Sequence, residues 1–242
     1  MSEDSQLAAK VHYGFLPDDY EDDRLSIAVS LRPLYTIGGD FCSILPLGEN
    51  RILTCICDAV GHGVSAALFA ARINTYVLTH ARVDMYPCEL VEGLNSYLCK
   101  RLADTGMYAT FYALLLDFES GSLNLSGAAH PPVLQLEKDH DKSREWPSAT
   151  TLLGITDPMP VVCGSERLRL NAGDHFLLYS DGLIEVEDAD EQAFGVEGLS
   201  RSLIAHRNLS GEVLNRAILE QAESHAGDGF KDDVLLMSIT IK

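Results

Sequence analysis

Basic residues are scarce in this chain: 18 Lys and Arg stand against 36 Asp and Glu over 242 residues, a formal net charge of −18. A nucleic-acid-binding surface clusters Lys and Arg to displace counterions from phosphates, so that class of partner is excluded. An anionic membrane surface is disfavoured for the same reason. Long apolar runs are missing too. The most apolar region, Ile52 to Ile73, contains Asp58, His62 and Arg72, whereas a membrane span needs about 20 apolar residues with few or no charges. The opening MSEDSQLAAKVHYGF lacks a basic n-region and an apolar h-region, so the expectation is a cytoplasmic protein without a secretory leader. The six cysteines, Cys42, Cys55, Cys57, Cys88, Cys99 and Cys163, form no CxxC pair. They read as small buried hydrophobes rather than as zinc ligands or disulfide partners. Apolar residues at 46% and charged residues at 22% are ordinary globular values, which excludes general disorder.

Residues 1–16 carry Leu7, Val11, Phe15 and Leu16 at helical spacing, and Pro17 ends the pattern. The acidic run Asp18 to Asp23 follows as a solvated loop. Strand-like segments come next at Leu25–Leu31, Phe41–Leu47, Ile52–Cys57, Ala109–Phe118 and Ser122–Ser126, separated by turn signals such as LGENR and ESGS. Two helical stretches, Ser65 to Ala81 and Pro87 to Ala103, lie between the third and fourth strands. Further strands are expected at Val133–Leu136, Glu166–Leu170, His175–Tyr179 and Val234–Ile241, with helices at Gly195–His206 and Ser210–Ser224, Ser210 serving as N-cap. The polar stretch Glu137–Ser148 reads as the least ordered internal piece. No linker is long enough to divide the strands and helices, so the reading is a helical segment over 1–17 followed by one α+β domain over 18–242.

Several apolar strands end or begin in an aspartate beside a turn. Gly38-Gly39-Asp40 opens one, Ile56-Cys57-Asp58 runs into Ala59-Val60-Gly61-His62-Gly63, Ser180-Asp181-Gly182 closes another, and Asp232-Asp233 opens the last. A lone SDG is most often only a turn. Four carboxylates at strand ends, with a glycine-flanked histidine, make a more specific set. Converging carboxylates repel one another unless a cation lies between them, and an all-oxygen donor set suits Mg²⁺ or Mn²⁺ rather than zinc. Such ions activate water against a phosphate ester without a side-chain nucleophile, and a neighbouring histidine can protonate the leaving oxygen.

The ordered motifs GGDF (38–41), DAVGHGVSAAL (58–68), YATFYALLLD (108–117), GAAHPPVL (127–134), LLGI (152–155), LLYSDGLIEVEDADEQAFG (177–195) and DDVLL (232–236) cover nearly the whole chain. Together they resemble the SpoIIE/RsbU-like branch of the PPM family of metal-dependent serine/threonine protein phosphatases. The resemblance implies a four-layer α-β-β-α sandwich of two antiparallel sheets flanked by helices. It also implies two Mn²⁺ or Mg²⁺ ions held by Asp40, Asp58, the Ala59 carbonyl, Asp181 and Asp232, with Asp233 the weaker of its pair. Asp58 would bridge the ions, and Asp40, Asp58 and His62 would carry catalysis, His62 as proton donor. His130 reads as a loop-shaping residue, Glu185 and Phe194-Gly195 as shaping the region after SDG, and Thr110 lies near the metal end with no role assigned. The turn reads DAVGHG where DVSGHG is usual in the branch, and GAAHPP replaces NAGHPP. Every acidic position is filled.

By the same resemblance the substrate is a phosphorylated STAS-domain anti-sigma factor antagonist in bacterial partner switching. The segment 1–17 could dimerise the chain or dock a regulatory protein. Two readings compete: a catalytically silent scaffold that binds a phosphoprotein, and an unrelated metal hydrolase of small phosphoesters. Retention of the acids argues against the first, and the motif order against the second.

Overall fold

A computed structural model describes residues 7, 10–34, 37–160, 163, 167–227 and 229–242. Parts of the expected N-terminal helix (1–6, 8 and 9) and the first residue of the strand expected from Glu166 lie outside these. In chain order the strands are β1 (Tyr20–Glu21), β2 (Leu25–Arg32), β3 (Phe41–Pro46) and β4 (Arg51–Ala59). Helices α1 (Val64–His80) and α2 (Pro87–Leu102) follow, with a 3₁₀ turn over Ala103–Thr105. Then come β5 (Ala109–Asp117), β6 (Ser122–Ala128), β7 (Val133–Leu136), β8 (Arg144–Trp146), β9 (Arg167–Arg169) and β10 (His175–Tyr179). The chain ends with α3 (Asp181–Ile184), α4 (Gly195–Ala205), α5 (Gly211–His225) and β11 (Val234–Ile241).

Two compact units share these elements. The first comprises residues 1–17, 36–130 and 147–170, and the second 18–35, 131–146 and 171–242. Each holds one antiparallel sheet with helices packed against it. The first sheet runs β3-β4-β5-β6-β9 and the second β1-β2-β11-β10-β7-β8.

In the first unit the odd positions of β4 and β5 (Leu53, Cys55, Cys57, Ala59; Ala109, Phe111, Ala113, Leu115) form one core with Phe69, Ile73 and Val77 of α1 and Leu90, Leu94 and Leu98 of α2. The period of two along a strand then puts Asp58 and Thr110 on the face away from these helices. Ile52, Ile56, Tyr112 and Leu114 on that second face are buried as well, which is why β4 reads as a continuous apolar run. Ser43 donates to Asn74 at 2.9 Å and ties α1 to the sheet through a buried polar pair. In α2 Pro87 opens the helix, and the carboxylate of Glu89 accepts the Tyr86 N–H at 2.7 Å, satisfying one orphan donor of the first turn.

In the second unit Leu177 and Tyr179 of β10 and Val234 and Leu236 of β11 pack with Leu199 and Leu203 of α4 and with Leu214, Ile218 and Ala222 of α5. Asn215 on α5 donates to the Ala28 carbonyl of β2 at 3.1 Å.

The strands at 133–136, 175–179 and 234–241 have the bounds expected from the sequence. Three short elements differ from the sequence expectation: β1, which pairs with β2 inside the acidic run expected to be a solvated loop, α3, and β8 within the stretch expected to be irregular. β8 forms because Arg144–Trp146 pairs with β7 and the Trp146 indole donates to Gln135 at 3.0 Å, a tertiary pairing that the polar local sequence does not announce. Ser210 occupies the N-cap of α5, although its side chain makes no capping bond.

The reading of the cysteines needs one correction. Cys88, in the first turn of α2, is disulfide-bonded to Cys163. Cys42, Cys55 and Cys57 are buried thiols outside any disulfide, and Cys99 is a half-buried one. A separation of 75 residues hides the pair from any spacing motif, and the fold alone brings the two together.

Candidate active site

In the first unit the acidic pair is set by the β3–β4 hairpin. Phe41 lies opposite Cys57, so one further step of the antiparallel register places Asp40 opposite Asp58. Asp40 is 7% exposed, and like charges directly opposed across a ladder are destabilising unless compensated. The field of both is felt at Cys57: burial first, then Asp58, Cys55 and Asp40, push its thiol well up from its ordinary value. Gly39 is needed for a close approach. A Cβ built there would stand 2.5 Å from the Ala59 carbonyl oxygen, so any side chain at 39 would occupy the space in front of that carbonyl.

Beyond β4 the chain turns sharply. The Val60 N–H is held by the Tyr108 carbonyl at 3.0 Å, and the Gly63 N–H by Ile37 at 3.1 Å. Gly61 (φ 85) and Gly63 (φ 78) both adopt left-handed backbone, which glycine reaches without a Cβ clash. His62 stands exposed between them, and Gly63 is the N-cap from which α1 departs.

In the second unit Asp181 and Asp232 come together where β10 ends and β11 begins. Burial first, and the Asp232 carboxylate second, push the Asp181 carboxyl up. Glu185 joins this acidic neighbourhood, raised by burial and then by Asp181, Asp232 and Glu187. Ser180 locks the corner: its hydroxyl donates to the Asp233 carbonyl at 3.2 Å and accepts the Leu235 N–H at 2.9 Å. A Cβ at Gly182 would collide with that same Asp233 carbonyl, so glycine is required where the two strand ends meet. Asp233 turns its carboxylate to the Leu34 N–H at 2.6 Å. Asp232 accepts the Asp233 N–H at 2.7 Å and is exposed.

Asp40, Asp58, Ala59 and His62 thus belong to the first unit, and Asp181, Asp232 and Asp233 to the second. Among the described residues no three His, Cys, Asp or Glu side chains are gathered into a metal-ligating group. Each unit nevertheless presents a carboxylate pair at strand ends, with a backbone carbonyl cleared by a glycine in the first unit. These oxygen-only donor sets fit a hard divalent ion, which would also relieve the repulsion within each pair.

One contact beside Asp58 has little signature in the sequence. The Thr110 hydroxyl lies 2.7 Å from Nδ1 of His130, and Thr110 is the register partner of Asp58. The only signals were the histidine before two prolines and the threonine inside an apolar strand.

Comparisons with known proteins identify the family and the fold. A family model described as Stage II sporulation protein E (SpoIIE) matches residues 48–242. Protein IcfG of Synechocystis sp. is 22% identical over a 258-residue alignment that covers 95% of this chain and 40% of that protein. Phosphoserine phosphatase RsbP of Bacillus subtilis is 21% identical over 183 residues, 74% of this chain and 45% of its own. This chain spans less than half the length of either curated relative. Among solved structures the SiaA-PP2C domain of Pseudomonas aeruginosa superposes with a TM-score of 0.82 at 18% identity, over 99% of this chain and 96% of that one. That likeness shows the fold of two antiparallel sheets flanked by helices.

Proposed function

We propose, from the premise that this chain belongs to the SpoIIE family of PPM-type phosphatases, that it hydrolyses phosphoserine or phosphothreonine in a protein with Mg²⁺ or Mn²⁺. The observation that carries the reading is the gathering of carboxylates at strand ends, Asp40 directly before β3 and Asp58 on β4, whose register pairs Phe41 with Cys57, and Asp181 beside Asp232. Asp40, Asp58, the Ala59 carbonyl, Asp181 and Asp232 would hold the ions. Asp233 contributes chiefly by fixing backbone, since one of its oxygens is engaged by Leu34. Two divalent ions, when bound, supply Lewis acidity and a water activated for attack on phosphorus.

The chain's own side chains do the rest. Asp58 orients what it ligates from a rigid strand end, and His62, exposed on a glycine-flanked turn, donates the proton that the departing serine or threonine oxygen needs. A net charge of −18 opposes general attraction of phosphoproteins, so substrate choice rests on fit around the site. Kinship with a phosphoserine phosphatase, RsbP, supports phosphoserine as the group removed, and the motif resemblance implies that it is carried by a STAS-domain protein within partner-switching control of a sigma factor.

The test is hydrolysis of an aryl phosphate and of a phosphoserine STAS-domain protein, with and without Mn²⁺, beside Asp58→Asn. We expect Mn²⁺-dependent turnover, faster on the phosphoprotein and lost in the variant. Turnover of the aryl phosphate alone would replace the substrate assignment. No turnover of either by a folded chain that binds Mn²⁺ would turn the reading into a phosphoprotein-binding scaffold.

A further inference from the structure

We infer that His130 is a positioning residue for the Asp58 carboxylate, acting through the hydroxyl of Thr110. The inference rests on the phosphatase reading for its purpose, and on the first unit alone for its geometry.

Asp58 and Thr110 are directly opposed on β4 and β5, on the sheet face turned away from α1 and α2. Directly opposed residues hold their Cβ atoms about 4.5–5.5 Å apart, within reach of a hydroxyl and a carboxylate. Thr110 Oγ1 is in turn 2.7 Å from Nδ1 of His130. A threonine hydroxyl has one proton. When Nδ1 carries the imidazole proton it donates to Oγ1, and the hydroxyl proton is then directed to another acceptor. The opposed carboxylate of Asp58 is that acceptor. Imidazole, hydroxyl and carboxylate then stand in series, as partners that orient metal-ligating side chains commonly do.

The backbone that carries this imidazole is fixed by its surroundings. His130 is 4% exposed. Ser148 clamps its backbone on both sides, accepting the His130 N–H at 2.9 Å and donating to the His130 carbonyl at 2.8 Å. The residue before it, Ala129, is in left-handed backbone at φ 51, a conformation that a non-glycine residue adopts only when its surroundings enforce it. The enforcing contact is visible: the Ala129 N–H is bound by the Thr150 carbonyl at 2.9 Å. Tyr112 meets the imidazole edge-on at 6.5 Å. Gly127 keeps the cluster tight, because a Cβ there would stand 2.5 Å from both the Tyr112 ring and the Ser148 hydroxyl. A side chain that only filled space would need neither a polar ring nor a hydroxyl aimed at it. The arrangement aims one nitrogen at the threonine that faces the candidate bridging ligand.

The experiment measures Mn²⁺ affinity by calorimetry and the imidazole ¹⁵N signals by NMR. The variants are Thr110→Val, Thr110→Ser, His130→Gln, the His130→Gln/Thr110→Val double variant and Asp58→Asn, each checked for an unchanged melting temperature. The His130 signals are identified by their loss in His130→Gln. We expect Thr110→Val to weaken Mn²⁺ binding about 10-fold or more, the usual range for loss of a ligand-orienting partner, and Thr110→Ser to restore most of it. His130→Gln should match Thr110→Val, and the double variant should lose no more than either, because groups in series share one effect. In the metal-free protein the His130 signals should move in Asp58→Asn. Wild-type affinity in Thr110→Val or His130→Gln, additive losses in the double variant, or His130 signals indifferent to Asp58→Asn would each overturn the inference. If the wild type takes up no Mn²⁺ while the His130 signals still answer to Asp58→Asn, the phosphatase reading falls and the positioning contact stands.

Discussion

His175 lies at the start of β10 with both ring nitrogens engaged, Nδ1 with the Thr240 hydroxyl at 3.0 Å and Nε2 with the Arg207 carbonyl at 2.8 Å. A carbonyl can only accept, so Nε2 carries the proton, and Nδ1 of the neutral ring accepts from Thr240. Burial, the largest influence, pushes the imidazole pKa down, partly offset by the Arg207 carbonyl and Asp174. The folded pKa is thus below the unfolded one, and the unfolded chain binds the proton first as pH falls. Stability from this group is complete above roughly pH 6.5 and is lost on acidification below it. Urea denaturation at pH 7.5 and pH 5.5 should show this slope flattened in His175→Gln, and an identical slope would assign the acid sensitivity elsewhere. The candidate site is legible at the same scale for its acids, because Asp40, Asp58, Asp181 and Asp232 each sit where an apolar strand meets a turn. The His130–Thr110 contact was not legible, since it depends on a loop closing back 20 residues onto a strand whose facing is known only once its register is set.

The segment after the Ala109–Leu153 bridge is fastened to α2 along much of its length. Asn95 accepts the Gly154 N–H at 2.9 Å and donates to the Thr156 carbonyl at 2.8 Å. Ser96 donates to Asp157 at 2.9 Å, Met159 enters the core, and Cys163 is bonded to Cys88. A cross-link over 75 residues is worth about 4 kcal/mol in the chain-entropy picture. Reduction should therefore lower the urea midpoint of the wild type and leave Cys163→Ser, already lowered, unmoved. Equal midpoints for oxidised and reduced protein would show that the hydrogen bonds and Met159 suffice. Elements with a strong period and clear turn signals, such as β11 and α1, were readable in the sequence. The two- to four-residue pieces β1, β8 and α3 were not, because pairing or a tight corner makes them rather than any run of propensity.

Across the whole chain the excess of 36 acidic over 18 basic residues sets up self-repulsion that opposes compaction. Raising ionic strength shortens the reach of that repulsion from about 30 Å at 0.01 M to about 8 Å at 0.15 M, so the melting temperature should rise with NaCl over this interval. A fall instead would mean that ion pairs such as Arg51–Asp117, 2.8 Å apart, outweigh the net charge. The two units are also threaded through one another along the chain: residues 18–35 belong to the second, yet 36–130 and 147–170 build the first. During synthesis the first sheet has all its strands by residue 169, while β2 awaits β11, whose register runs Leu25↔Ile241 to Val234↔Arg32. A nascent chain emerging at about 5–20 residues per second therefore carries an apolar strand edge at 25–32 until residues 234–241 appear. Long-range pairing of this kind folds slowly, and neither sheet with its helices can be obtained as one uninterrupted fragment of the chain.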